Sequence, residues 1–202
     1  RAAAPEAFDE DRILNLAGGE WKRTGSPGEH VTPVDGTLIQ GPPRIDHDDA
    51  VTAVSQAADE HKLWSSVDLD ERRSRVAAAV AEMREHRDTL ALLLVWEIGK
   101  PWRLACADVD RALDGVDWYL QEIERQLVGR HPLPGPVSNI ASWNYPMSVQ
   151  IHAARLQCLA GNAAVPKTPS RGGFHRPPPT HATTPSPALP RALRIAHRPA
   201  PP

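Results

Sequence analysis

The chain has 202 residues, 41% of them hydrophobic, and a formal net charge of -2, which suits a globular protein with one good core or two small ones. The small net charge hides a split: residues 1-124 carry all 25 acids against 14 Lys/Arg, whereas residues 125-202 carry nine Lys/Arg and no acid. The arginines of the basic half are scattered among prolines with few aromatics, which argues against nucleic-acid binding, and the longest apolar run, Leu90 to Trp96, is too short to span a bilayer.

In chain order, Asn15-Leu-Ala-Gly-Gly-Glu-Trp21 and the Pro33-Val-Asp-Gly36 turn between short β-branched runs predict a small antiparallel excursion. Asp46 to Trp64 spaces Ala50, Val51, Val54, Ala57, Ala58 and Trp64 as one face of an amphipathic helix behind clustered aspartates. Asp68 with Glu71 reads as a cap, and Val76, Ala79, Val80 and Met83 continue a second helix. A third, more buried helix covers Asp88 to Ile98 and stops at Gly99 and Pro101.

From Trp102 to Val128 the apolar residues Ala105, Val109, Ala112, Leu113, Val116, Leu120, Ile123 and Leu127 keep a three- and four-residue rhythm, which predicts one long helix ended by Gly129. His131-Pro-Leu-Pro-Gly-Pro136 is an extended link. Val137 to Ala141 then reads as a strand, Pro146 as part of a first helical turn, Gly161 as a helix C-terminus and Ala163 to Val165 as the start of a second strand. After Gly173 the last 29 residues hold nine prolines and no apolar period, so no packed structure is expected there. The division follows: a helical and strand-bearing region over 1-136, a β-α-β unit over 137-173 and a disordered tail over 174-202.

The backbone N-H groups that open the helix of a strand-turn-helix unit lack intrahelical partners and sit at a positive dipole end, which makes such a turn a natural anion or dinucleotide site. Asn144 stands at that turn, where its amide reads either as a helix cap or as a donor to a developing oxyanion. The two cysteines, Cys106 and Cys158, fall on helices and read as small buried residues, and so few thiols suit a reducing compartment such as the cytoplasm. His175, His181 and His197 lack metal-ligand spacing, and no metal site is expected. His152 reads as a packed residue rather than a base.

Four segments together resemble the aldehyde dehydrogenase superfamily: Glu97-Ile-Gly-Lys-Pro101, Trp143-Asn-Tyr-Pro146, Leu159-Ala-Gly-Asn162 and Lys167. The resemblance runs from about residue 14 to residue 173. It implies an α/β fold, namely the N-terminal part of an aldehyde dehydrogenase, with helices followed by the first β-α-β of a Rossmann-like NAD(P)-binding domain. It also implies NAD or NADP as cofactor, a small-molecule aldehyde as substrate and a homo-oligomeric parent. By matching position, Ile140, Ala141, Ser142 and Trp143 are similar to the cofactor-lining turn, Asn144 to the oxyanion donor and Lys167 to the ribose-binding lysine, with Glu97 and Lys100 structural. Ser142 stands where proline is commoner. Ser170 stands where many members place a ribose-binding glutamate, which leaves NAD and NADP open. Pro166 falls inside a strand, where proline deletes a ladder bond.

The family's reaction needs a thiolate nucleophile and a glutamate base, and neither is expected within these 202 residues. The chain is therefore expected not to catalyse the oxidation. The Pro/Arg/His/Thr tail reads as an out-of-frame translation beginning near residues 166 to 176. The alternative is a non-catalytic remnant or interaction fragment.

Overall fold

The computed structural model describes residues 8–10, 12–17 and 20–169. Ser170 and the proline-rich tail lie outside the described residues. Three antiparallel pairs open the chain: β1 (Phe8–Asp9) with β2 (Arg12–Ile13), β3 (Asn15–Ala17) with β4 (Glu20–Lys22), and β5 (Ser26–Val31) with β6 (Leu38–Arg44). The Pro33-x-Asp-Gly turn closes the last pair as its composition predicts: Thr32 N-H donates to Thr37 O at 3.0 Å, and Gly36, at φ 78, donates to Thr32 O at 3.0 Å.

Four helices follow, α1 (His47–Trp64), α2 (Leu69–Glu85), α3 (Arg87–Ile98) and α4 (Trp102–Gln126). Local signals set their ends. Asp46 accepts from Asp49 N-H and Asp68 from Glu71 N-H, both at 2.8 Å, so each satisfies a donor that its helix leaves unpaired. Gly99 closes α3 in the left-handed region at φ 66. The carbonyls near that end are met by β5 and the β5-β6 turn, Thr32 Oγ1 donating to Trp96 O and His30 Nε2 to Glu97 O at 2.7 Å.

One expectation is corrected on α1. Its buried stripe is Ala53, Ala57, His61 and Trp64, whereas Val51 and Val54 are about half exposed, at 54% and 49%. The face was set by polar anchoring rather than by apolar count. His61 Nδ1 accepts from Ala163 N-H at 3.1 Å, its Nε2 then donates to Leu133 O at 2.8 Å, and Trp64 Nε1 donates to Cys158 O at 2.9 Å. These bonds turn α1 toward the C-terminal unit and leave the valines outside.

That unit consists of β7 (Val137–Ile140), a π-helical turn (Met147–Ile151), α5 (His152–Leu159) and β8 (Ala164–Lys167), with β7 and β8 parallel. The π turn, closed by His152 N-H to Met147 O, has no signal in the sequence. The end of α5 does: Gly161, at φ 88, donates to Cys158 O, and Asn162 N-H reaches back to Gln157 O at 2.9 Å, a complete Schellman motif. Asn162 Oδ1 also accepts from Leu133 N-H at 2.8 Å, tying the extended link down. One hydrophobic core runs through both regions, from Val76, Met83, Leu94, Val109 and Leu113 on α2 to α4 into Met147, Ile151, Cys158 and Leu159.

Pro166 takes its place in β8 without loss to this sheet. Val137 N-H donates to Ala163 O and Ala141 N-H to Lys167 O, so the odd-numbered residues of β8 face β7. Strand alternation turns Pro166, and the donor it lacks, toward the other edge.

Candidate functional site

The residues singled out in the sequence gather at the C-terminal ends of the two parallel strands, where open α/β sheets place their ligands. Ile140 and Lys167 are register partners, so their side chains lie on one face of the sheet. Ile140 is 71% exposed, Ala141 is buried, and Ser142, Trp143 and Asn144 are exposed as the chain leaves β7. Lys167 is half-buried, its ammonium donating to the neutral Thr168 carbonyl at 3.1 Å, and burial holds its pKa below the usual lysine value of 10.5.

Beneath this turn lies an ion pair that the sequence reading passes over in part. Lys100 Nζ meets Asp108 Oδ2 at 3.0 Å, with the lysine side chain 8% exposed and the aspartate 0%. The same ammonium donates to Asn144 O at 2.9 Å and lies 3.9 Å from the centroid of the Tyr145 ring. Asp108 Oδ1 accepts from Ser148 N-H at 3.1 Å. The helix N-terminus expected to be open for an anion therefore already has one of its donors on an internal carboxylate. Lys100 belongs to the Glu97-Ile-Gly-Lys-Pro segment, but Asp108 was missed. Its signal is an acid on the apolar stripe of α4, between Ala105 and Ala112, where an acid enters only with a partner.

The remaining titratable groups do not supply a nucleophile here. Cys158 is fully buried, and burial pushes its thiol up to about 11. Cys106 lies two residues from Asp108, on the opposite side of α4 from the turn. His152 packs on Tyr119 at 5.6 Å between ring centroids, and burial lowers its pKa below 6.5. No group of three or more His, Cys, Asp or Glu that could hold a metal ion occurs among the described residues. No described helix is long and apolar enough to cross a membrane. The open cleft between α2 and α4 is lined by Asp70, Arg73, Ser74, Ala77, Asp117, Leu120 and Gln121, none of them part of this constellation.

The model of the aldehyde dehydrogenase family matches residues 21–174. The chain belongs to that family. A malonate-semialdehyde dehydrogenase of Bacillus cytotoxicus is 28% identical over 176 residues, covering 79% of this chain and 36% of that protein. A D-glyceraldehyde dehydrogenase (NADP(+)) of Picrophilus torridus is 29% identical over 169 residues, covering 75% and 34%. Among solved structures, the NADP-dependent glyceraldehyde-3-phosphate dehydrogenase of Bacillus halodurans, complexed with NADP, superposes with a TM-score of 0.81 at 22% identity, over 93% of this chain and 44% of that one. The chain thus has the fold of the N-terminal part of an aldehyde dehydrogenase, and it spans about a third of the length of the curated relatives it matches. Within that fold, Glu97-Ile-Gly-Lys-Pro and Leu159-Ala-Gly-Asn are helix endings whose side chains and backbone hold the β7-β8 unit in place.

Proposed function

We propose that this aldehyde dehydrogenase chain forms one edge of an NAD(P) site and does not by itself oxidise aldehydes. The observation that carries the reading is the pairing of Ile140 with Lys167 at the open ends of parallel strands. An apolar side chain and an ammonium on one face suit a dinucleotide ring and its ribose. An ammonium has three donors, so Lys167 can keep the Thr168 carbonyl and still meet ribose hydroxyls. Ile140, Ala141, Ser142 and Trp143 line the approach, and Ser170 is assigned to the ribose side. When bound, the nicotinamide supplies the hydride acceptor.

Asn144 is assigned as the oxyanion donor. A single such donor contributes about 3 kcal/mol to lowering a barrier, but a donor stabilises charge only after a nucleophile has attacked. Within the chain no thiol is placed for that role, since Cys158 is dry and protonated and Cys106 faces away. An aldehyde remains the substrate class of the whole family enzyme, and the two unpaired cysteines suit a reducing compartment such as the cytoplasm. The test is a pair of measurements on the purified chain: formation of reduced nicotinamide from NAD or NADP with a set of aldehydes, and binding of the same cofactors. Binding without turnover is expected, and turnover above a protein-free blank overturns the reading.

A further inference from the structure

We infer that Lys100 and Asp108 are positioning residues that fix the direction of Asn144, acting as a two-handed clamp on the 144–148 turn. The inference rests on the assignment of Asn144 as oxyanion donor and concerns how that donor is aimed. Lys100 holds the turn before Pro146, through the Asn144 carbonyl at 2.9 Å and the face of Tyr145 at 3.9 Å. Asp108 holds it after Pro146, through the Ser148 amide at 3.1 Å. The two are joined to each other at 3.0 Å, and Pro146 between the grips has φ locked at -64° by its ring.

Four features separate this pair from an ordinary buried salt bridge. Each partner spends its other hydrogen-bonding capacity on the backbone of one turn. Asn144 carries its carbonyl inward onto a buried ammonium while the residue itself stays exposed. Arg111, on the same long helix, lies 5.6 Å from the Tyr145 ring and adds a second cation to it. Charge-assisted bonds at both ends of the five residues restrict the backbone torsions that would swing Asn144. Donors that stabilise a transition state must be held in place before reaction, so rigidity here has a functional use.

The clamp is tested on the full chain without cofactor, by amide exchange in NMR. The Ser148 amide is expected to be protected although its neighbour Val149 is partly exposed, and to exchange far more slowly than the amide of exposed Trp143. Equal exchange at Ser148 and Trp143 in the unmodified chain overturns the proposal without any variant. In the double variant Lys100→Met/Asp108→Leu, a buried pair is replaced by apolar side chains, a change that preserves folding in comparable sites. Core amides of α4 such as Val109 and Leu113 are expected to keep their protection, while Ser148 loses about tenfold, as for one charge-assisted hydrogen bond. Unchanged Ser148 protection in the folded double variant also overturns the proposal, because the Asp108 carboxylate is the acceptor assigned to that amide, and so do unchanged Asn144 side-chain amide signals, because a pair that only stabilised the core would leave the direction of Asn144 as it was. The cofactor plays no part in these readings. A chain that shows the tenfold loss yet binds no dinucleotide refutes the functional reading and retains the clamp, and the reverse pattern refutes the clamp alone.

Discussion

Burial decides which titratable side chains can act. With its thiol pushed up to about 11, Cys158 stays protonated at about pH 8, whereas Cys106 is partly exposed on α4. Iodoacetamide at that pH is expected to label Cys106 ahead of Cys158 in the folded chain, and equal labelling by mass spectrometry contradicts this. His152 carries a buried Nε2 with no partner, and burial holds its pKa below 6.5. The unfolded chain therefore takes up the proton first, so stability is intact above about pH 6.5 and is lost as pH falls from there through the lower folded value. The urea midpoint is expected to drop between about pH 7 and about pH 5 by less in His152→Phe than in the unmodified chain. An equal drop in both removes His152 from the account. At this scale the sequence shows identity without environment: Asn144 and Lys167 are visible in their motifs, but Asp108 looks like any helix acid until its burial is seen.

Helix ends are the elements most legible in the sequence, because a cap is made by residues within one turn of it. Asp68 and Gly99 do in the structure what their positions predict. Asp68→Ala is expected to cost about 1 kcal/mol in denaturant unfolding. Gly161 has a stronger requirement, since its φ is 88° and an added Cβ would lie 2.8 Å from Pro132 Cγ and against the Arg72 guanidinium. Gly161→Ala is expected to destabilise by about 2 kcal/mol or more, and a cost below that of Asp68→Ala contradicts the assignment of a strained cap. The exposed side of α1 was not legible, because Val51 and Val54 fit helical spacing as well as Ala53 and Ala57 do. Only the contacts of His61 and Trp64 with residues about a hundred positions away decide between those faces. The π turn is hidden for a similar reason, as it serves the join of Pro146 to α5 rather than any local preference.

In the whole molecule, α1 to α4 form the body and the β7-β8 unit is docked on it through the shared core and the bonds from His61 and Trp64 on α1 and from Lys100. The order of elements could be read from the sequence because the periodicity changes at Gly129 and again at Asn162. The docking could not, because it depends on isolated polar residues rather than on a pattern. The two-stranded sheet has little area of its own, so amide exchange is expected to be slowest in α4 and faster in β7 and β8. The proposed cofactor edge at the strand ends is centred on Lys167. It is tested most directly by calorimetric titration of NAD and NADP into the purified chain and its Lys167→Ala variant. Saturable binding of at least one dinucleotide by the unmodified chain is expected, with affinity reduced about tenfold or more in the variant, the loss expected for a hydrogen bond to a charged group. Absence of binding to both cofactors, or equal affinity in chain and variant, contradicts it.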